Sequence, residues 1–265
     1  MPSTYAHRRF GADVLARLPE ELRDKIEPYR ALYDLGLHGP DLLFYYKALQ
    51  SNHVSRLGGA MHEQPGAVFF ERARGVIRKA KNKDAALVYG LGFICHFALD
   101  STCHPYVEQC VRSSGVSHCE IETEFDNMLL RRDGHDPMHY LTASHIQPSR
   151  IWANVVAPFY EGISVDEAYQ AMTGMVFVHK MLLASNPAKR WVVLSAMRLA
   201  GKWEFMHGLV ANPKPNPDCA ESGCGLDALY QKAIPLAVRL ITEYVDGLST
   251  DAPLDAAYQH TFGEN

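Results

Sequence analysis

Residues 85–95 contain no charged side chain, and the same run continues directly into ionisable side chains set at a fixed step. His96 and Asp100 stand four apart, His104 follows Asp100 by another four, and His118 and Glu122 repeat the interval. On a helix, residues four apart lie on one face, close enough for two side chains to grip one ion. A segment that is apolar nearly all round is a helix buried on every side. Its polar continuation must then enter the interior, where ionisable groups without partners are costly. Imidazole and carboxylate are the nitrogen and oxygen ligands that zinc takes. Two such pairs joined by a third histidine predict a metal cluster and not one isolated site.

The rest of the chain reads as helices around that segment. Residues 6–18 and the Pro19-Glu-Glu-Leu start predict two helices, and 31–37 leads into a turn sequence. The Gly39-Pro40 pair marks a turn, and Asp41 is placed as an N-cap ahead of the apolar 42–46. Gly58-Gly59 is read as a break. A new helix is expected from His62 to about Lys81, with 82–84 as the join to the central helix, 85–104. Pro105 disfavours helical geometry at His104 and is expected to end or kink that helix. Ser113-Ser114-Gly115 is a loop, Ser117 an N-cap, and 118–131 another helix. Helical spacing recurs near 149–161, 165–184, 188–207 and 226–246, and 212–225 reads as loop. No run has sustained period-two alternation, so the expected fold is all-α. The expectation is a single multi-helix domain over 1–265, with a zinc-cluster half at about 1–131 and a C-terminal helical half at about 132–265.

Composition narrows the function classes. With 26 basic and 30 acidic residues the chain carries a formal charge of -4, which argues against a duplex nucleic-acid partner, since such partners need a basic face. The start, Met-Pro-Ser-Thr-Tyr-Ala-His, has no apolar core or cleavage pattern, and 85–95 is too short to span a bilayer. The expectation is a cytoplasmic protein with no transmembrane segment. Cysteines 95, 103, 110 and 119 fall inside or beside the cluster stretch, with no signal of an oxidising compartment.

Taken together, H-x3-D, a nearby histidine and H-x3-E, preceded by a histidine and an aspartate, resemble the zinc-dependent phospholipase C family. The related S1/P1 nucleases have a similar arrangement. The likeness covers about residues 2–131 and is strongest over 66–122. It implies an all-helical fold and two to three zinc ions. By that resemblance one ion takes His62, His96 and Asp100, and another takes His104, His118 and Glu122. A third takes His7, shares Asp100 as a bridge and uses the amine and carbonyl of the first residue. Asp41 matches an aspartate that contacts metal or acts as a base. The family's secreted members begin at a tryptophan; here, removal of Met1 would expose Pro2 for that role. The Asp100-to-His104 gap is shorter than the family's, and His53 competes with His62 for one position.

The implied activity is hydrolysis of a small phosphate ester or a phospholipid head group. Phosphodiester cleavage needs charge neutralised on phosphate oxygens and hydroxide generated near neutral pH, which zinc ions about 3.5–4 Å apart supply together. Two other readings stand beside it. One is a single-strand-preferring nuclease, which would use the basic run Arg72, Arg74, Arg78, Lys79, Lys81 and Lys83. The other is a non-catalytic protein with closed structural zinc. Cys95, Cys103 and Cys119 sit next to ligand positions but point about 100° away on a helix, so they are expected to pack behind the site. Cys219 and Cys224 read as free thiols, His135, His139 and His145 as solvated loop residues, and Phe44, Tyr45 and Tyr46 as core.

Overall fold

In the computed structural model, which describes residues 4–250 and 252–263, every regular element among the described residues is helical. The all-α expectation holds. Helix α6 (Lys83–Ser114) is the element around which the others pack. Asn82 caps it by accepting from Ala85 N–H, and Gly115 closes it at φ 73°, a left-handed turn that glycine adopts without strain. Every residue from Ala85 to Asp100 is buried, as an all-round apolar run requires. By length and composition this helix could cross a membrane, but 89% of its most apolar window is buried within the protein. It is the core helix of the fold.

Pro105 does not end α6. The helix continues to Ser114, so of the two expected outcomes, an end or a kink, the end is overturned. A proline costs about 3 kcal/mol inside a helix, and the extra turns offset this by burying Val107 and setting Glu108 against His118.

The N-terminal half comprises α1 (Thr4–Leu15), α2 (Glu20–Ile26), α3 (Arg30–Gly36), a 3-10 turn (Gly39–Tyr45), α4 (His53–Glu63) and α5 (Gly66–Lys79). Helices α3 and α6 meet backbone to backbone: a Cβ on Gly36 would lie 2.3 Å from the Tyr89 carbonyl, and one on Gly92 2.2 Å from that of Tyr33. Three local expectations fail here. Gly58-Gly59 lies inside α4, where Asn52 forms a capping box with Ser55 and Gly58 packs close to Leu43. His62 lies in the last turn of α4 and does not begin the next helix, from which Pro65 separates it. Asp41 is not a cap; Pro40 at the first turn moves the start of the 3-10 segment back to Gly39 and takes Asp41 inside it.

In the C-terminal half follow α7 (His118–Arg132), α8 (Arg150–Val156), α9 (Val165–Leu182), α10 (Pro187–Leu199), α11 (Trp203–Met206) and α12 (Ala220–Gly247). The expected helix 188–207 is broken between α10 and α11. The expected loop 212–225 turns helical from Ala220, because Asn216 caps a short 3-10 turn (Pro217–Cys219) that feeds into α12. Helix α12 packs along α6, so one hydrophobic core runs from Tyr5 to Phe262.

Candidate metal centre

Helix α6 sends His96, Asp100 and His104 along one face, and α1 and α7 bring their own donors to it. Asp100 is the hub. Its Oδ1 lies 3.0 Å from His7 Nε2 and 3.7 Å from His104 Nε2, and its Oδ2 lies 3.1 Å from His96 Nε2. Glu122 on α7 is the second hub, with Oε1 3.3 Å from His104 Nε2 and 3.2 Å from His118 Nε2. The third carboxylate, Asp41, stands 3.0 Å from His62 Nε2, and His62 Nδ1 lies 2.7 Å from the Gly58 carbonyl. A positive φ of 43° at Gly39 takes the backbone past the His96 ring, where a Cβ would come within 2.2 Å. Glycine is what allows that approach.

These atoms form three groups, each with its donor atoms within 4.8 Å of one another: His7, His96 and Asp100; Asp41, His62 and His96; His104, His118 and Glu122. The last is the set expected from the resemblance. The other two differ from it, because His62 pairs with Asp41 and His7 stacks on His96 with ring centroids 4.6 Å apart. His53 is elsewhere, 2.8 Å from Glu167 on α9. The expected ligands from the first residue lie outside the described residues.

The donors fit zinc. His7 Nδ1 and His96 Nδ1 are buried with no hydrogen-bond partner among the described residues. Buried polar atoms seldom go unpaired, and nitrogen with carboxylate oxygen is the donor chemistry of that ion. Electrostatics agree. Burial opposes ionisation of Asp100, yet His96, His104 and His7 outweigh it and hold the carboxyl well below its usual range. Glu122 and Asp41 are likewise held low against burial by nearby positive charge, which includes His118 for the first and His62 for the second. Burial works against protonated His118, but Glu122 raises it to about 9.

Two supporting residues continue the four-residue step. Glu108, four beyond His104, accepts from His118 Nδ1 at 2.7 Å and so sets the direction of its ring, as outer-shell carboxylates do. Asp126, four beyond Glu122, accepts from Tyr5 N–H at 2.9 Å and Ala6 N–H at 2.7 Å, which fixes the start of α1 and so the placement of His7. Burial pushes its carboxyl up to about 8.

Other expected roles sort out plainly. Burial pushes the Cys95 thiol up to about 12 and that of Cys119 to about 11, so neither is a ready thiolate, and no cysteine belongs to the three groups. All six are free, Cys219 and Cys224 included. His145 is not a solvated loop residue: it is buried, with Nε2 2.7 Å from His38 Nε2. Burial lowers both rings, His145 to about 3. His179, also lowered by burial, to about 4, meets the Tyr45 hydroxyl at 2.9 Å. Tyr45 and Tyr46 are core as expected, while Phe44 is half-buried.

Beside the groups lies a cavity of about 1060 Å³. Asp41, His62, His104 and His118 face it from the first half, and Thr142, Val178, His179 and Leu182 from the second. The C-terminal segment closes over the imidazoles: the Phe262 ring centroid is 5.8 Å from that of His62 and 5.9 Å from that of His96. The basic run of α5 does not line this space. Arg74 and Arg78 donate instead to the Ala252 and Leu248 carbonyls.

A family model described as zinc dependent phospholipase C matches residues 6–169. The match takes in every donor named above and ends within α9. No curated protein and no solved structure matches the chain.

Proposed function

The chain belongs to the zinc-dependent phospholipase C family, and from that premise we propose that it hydrolyses a phosphodiester bond in a small phosphate ester or phospholipid head group. The observation that carries this reading is the position of two of the three donor groups on the wall of one large cavity, through Asp41 and His62 of one and His104 and His118 of the other, with the third group buried behind them and sharing His96. His96 belongs to two of the groups, so two ions are expected with certain donors and a third if another donor completes its set. Zinc bound there supplies positive charge for phosphate oxygens and lowers the pKa of water. The residues do the rest. Asp100 and Glu122, held ionised, balance the imidazole cluster and orient it. Asp41 is ionised and faces the cavity, so it accepts a hydrogen bond from the attacking water and orients it. His62 holds Asp41 in place.

A closed structural site would leave no donor facing open space, whereas four of these residues do. A strand-binding nuclease would need its basic run at the cavity, and here none of that run lines it, while its three arginines donate to backbone carbonyls. The test is an assay of a chromogenic phosphocholine diester and of single-stranded DNA, before and after chelation. Zinc-restored cleavage of the diester is expected; cleavage of DNA alone would favour the nuclease, and neither would remove the proposal.

A further inference from the structure

In the hairpin of α9 and α10 the second helix is barely covered by the rest of the molecule, while α9 packs one face on α8 and on the Gly39–Tyr45 turn and leaves other side chains open. Among the large apolar side chains on the hairpin, Phe177 is 62% exposed, Trp191 71%, Val192 56% and Leu199 90%. They are not scattered. Phe177 and the exposed Met181 are four apart on α9, and Trp191, Val192 and Leu199 share one face of α10 by their spacings of seven and eight. Only Met197 of α10 is buried, in a small cluster with Ala184 and Val210 that is separate from the main core.

Beyond the first turn of α9, which holds Asp166 and Glu167, charge on the same hairpin has one sign. Between Glu167 and Glu204 there is no acidic residue, while Lys180, Lys189, Arg190, Arg198 and Lys202 are basic, in a chain whose formal net charge is -4. None of the five forms an ion pair among the described residues. Lys189 donates to the carbonyls of Lys180 and Leu183, Arg190 donates to Asn212 Oδ1 at 2.9 Å, and Arg198 lies 4.0 Å over the Trp203 ring. Arg190 is turned inward, toward Asn212 and within the field of Glu120, while Lys180, Arg198 and Lys202 carry positive charge with no acidic partner among the described residues.

We propose that the α9–α10 hairpin docks on an anionic lipid bilayer. An exposed apolar face alone would suit a protein partner as well. Tryptophan, phenylalanine and leucine beside uncancelled lysine and arginine are what an interfacial helix presents to acidic headgroups. The hairpin also walls the cavity through Val178, His179 and Leu182, so docking sets the donor groups against the membrane surface. This deepens the proposed hydrolase reading by choosing a lipid over a free phosphate ester, and rests on it for the chemistry only.

The experiment is co-sedimentation of the full chain with phosphatidylcholine vesicles, with and without phosphatidylglycerol, beside an assay on a soluble chromogenic diester. Binding is expected only with phosphatidylglycerol. It should weaken at least about tenfold in Trp191→Ser/Leu199→Ser, from the apolar area lost. Each of Lys180→Gln and Arg198→Gln should cost roughly fivefold. Turnover of the soluble diester should stay unchanged in all of them. If Trp191→Ser/Leu199→Ser does not fold, the two charge variants carry the test alone. Wild-type protein that stays in the supernatant, or variants that bind as it does, would overturn the proposal. So would a dimer in sedimentation velocity that Trp191→Ser/Leu199→Ser dissolves, since a second copy would then cover the face. Vesicle binding without diester cleavage would keep the docking face and sink the hydrolase reading.

Discussion

Helices α6 and α10 are both rich in apolar residues, yet they stand at opposite ends of the range of burial. From Ala85 to Asp100 every residue of α6 is inside, whereas α10 buries Met197 alone. On α6 the polar groups are at the end of a rigid, fully packed rod, so their spacing is set by the core. On α10 the charged groups are all basic, with Arg198 exposed, and little apolar packing holds the helix in place. Chemistry that needs side chains fixed to a fraction of an ångström belongs on the first kind of support, and a surface that adapts to a partner belongs on the second. The family match ends at residue 169, so the loosely packed hairpin lies almost wholly beyond the portion the family shares.

Substitutions can break that comparison, beginning where the effect is greatest. Asp100→Asn removes the carboxylate that three imidazoles face. Diester hydrolysis should fall at least about a hundredfold, several kcal/mol of lost stabilisation, with helical circular dichroism kept; activity near wild type would remove Asp100 from the site. Phe93→Ala deletes a ring with no exposure in the middle of α6 and should cost about 3–5 kcal/mol in urea unfolding. Leu199→Ala on α10, by contrast, should stay within about 0.5 kcal/mol. Equal costs at the two positions would contradict the division into rigid and loose supports.

Smaller effects sharpen the account of the site. Glu108→Gln leaves His118 without the carboxylate on its Nδ1, and zinc affinity at that group should drop about 10–100-fold, read by competition with a chromogenic chelator. The pH dependence of chelated protein follows from the same pair. His118 is raised from 6.5 to about 9, so its contribution to stability is complete below 6.5 and is lost as pH rises through 9. Glu122 is lowered from 4.5, so its contribution is present above 4.5 and fades as pH falls below it. The melting temperature should therefore decline between about pH 6.5 and 9, and His118→Gln should flatten that decline. Zinc must displace the His118 proton, so binding at neutral pH should release protons, measurable by calorimetry in buffers of different ionisation heat.

Much of this site was legible because the four-residue step is a helix signature that survives folding. It led to His96, Asp100, His104, His118 and Glu122, and carried one step further it reaches Glu108 and Asp126, which the reading stopped short of. What was not legible depends on distance along the chain. His38 meets His145 across 107 positions, and Tyr45 meets His179 across 134; a lone histidine has no spaced partner to betray it. The fold shows the same division. A continuous apolar run located α6, but Pro105 does not end that helix and Gly58-Gly59 does not break α4, since packing against neighbours outweighs a local preference of about 1–3 kcal/mol.

The central claim is that α1, the Asp41 turn, α4, α6 and α7 together build a zinc cluster. Metal content of protein purified without chelator tests it most directly, with His118→Ala alongside. Two to three zinc ions per chain are expected, one for each donor group that is complete, with one fewer in His118→Ala. A wild-type protein free of zinc, or a variant with an undiminished count, would contradict the account.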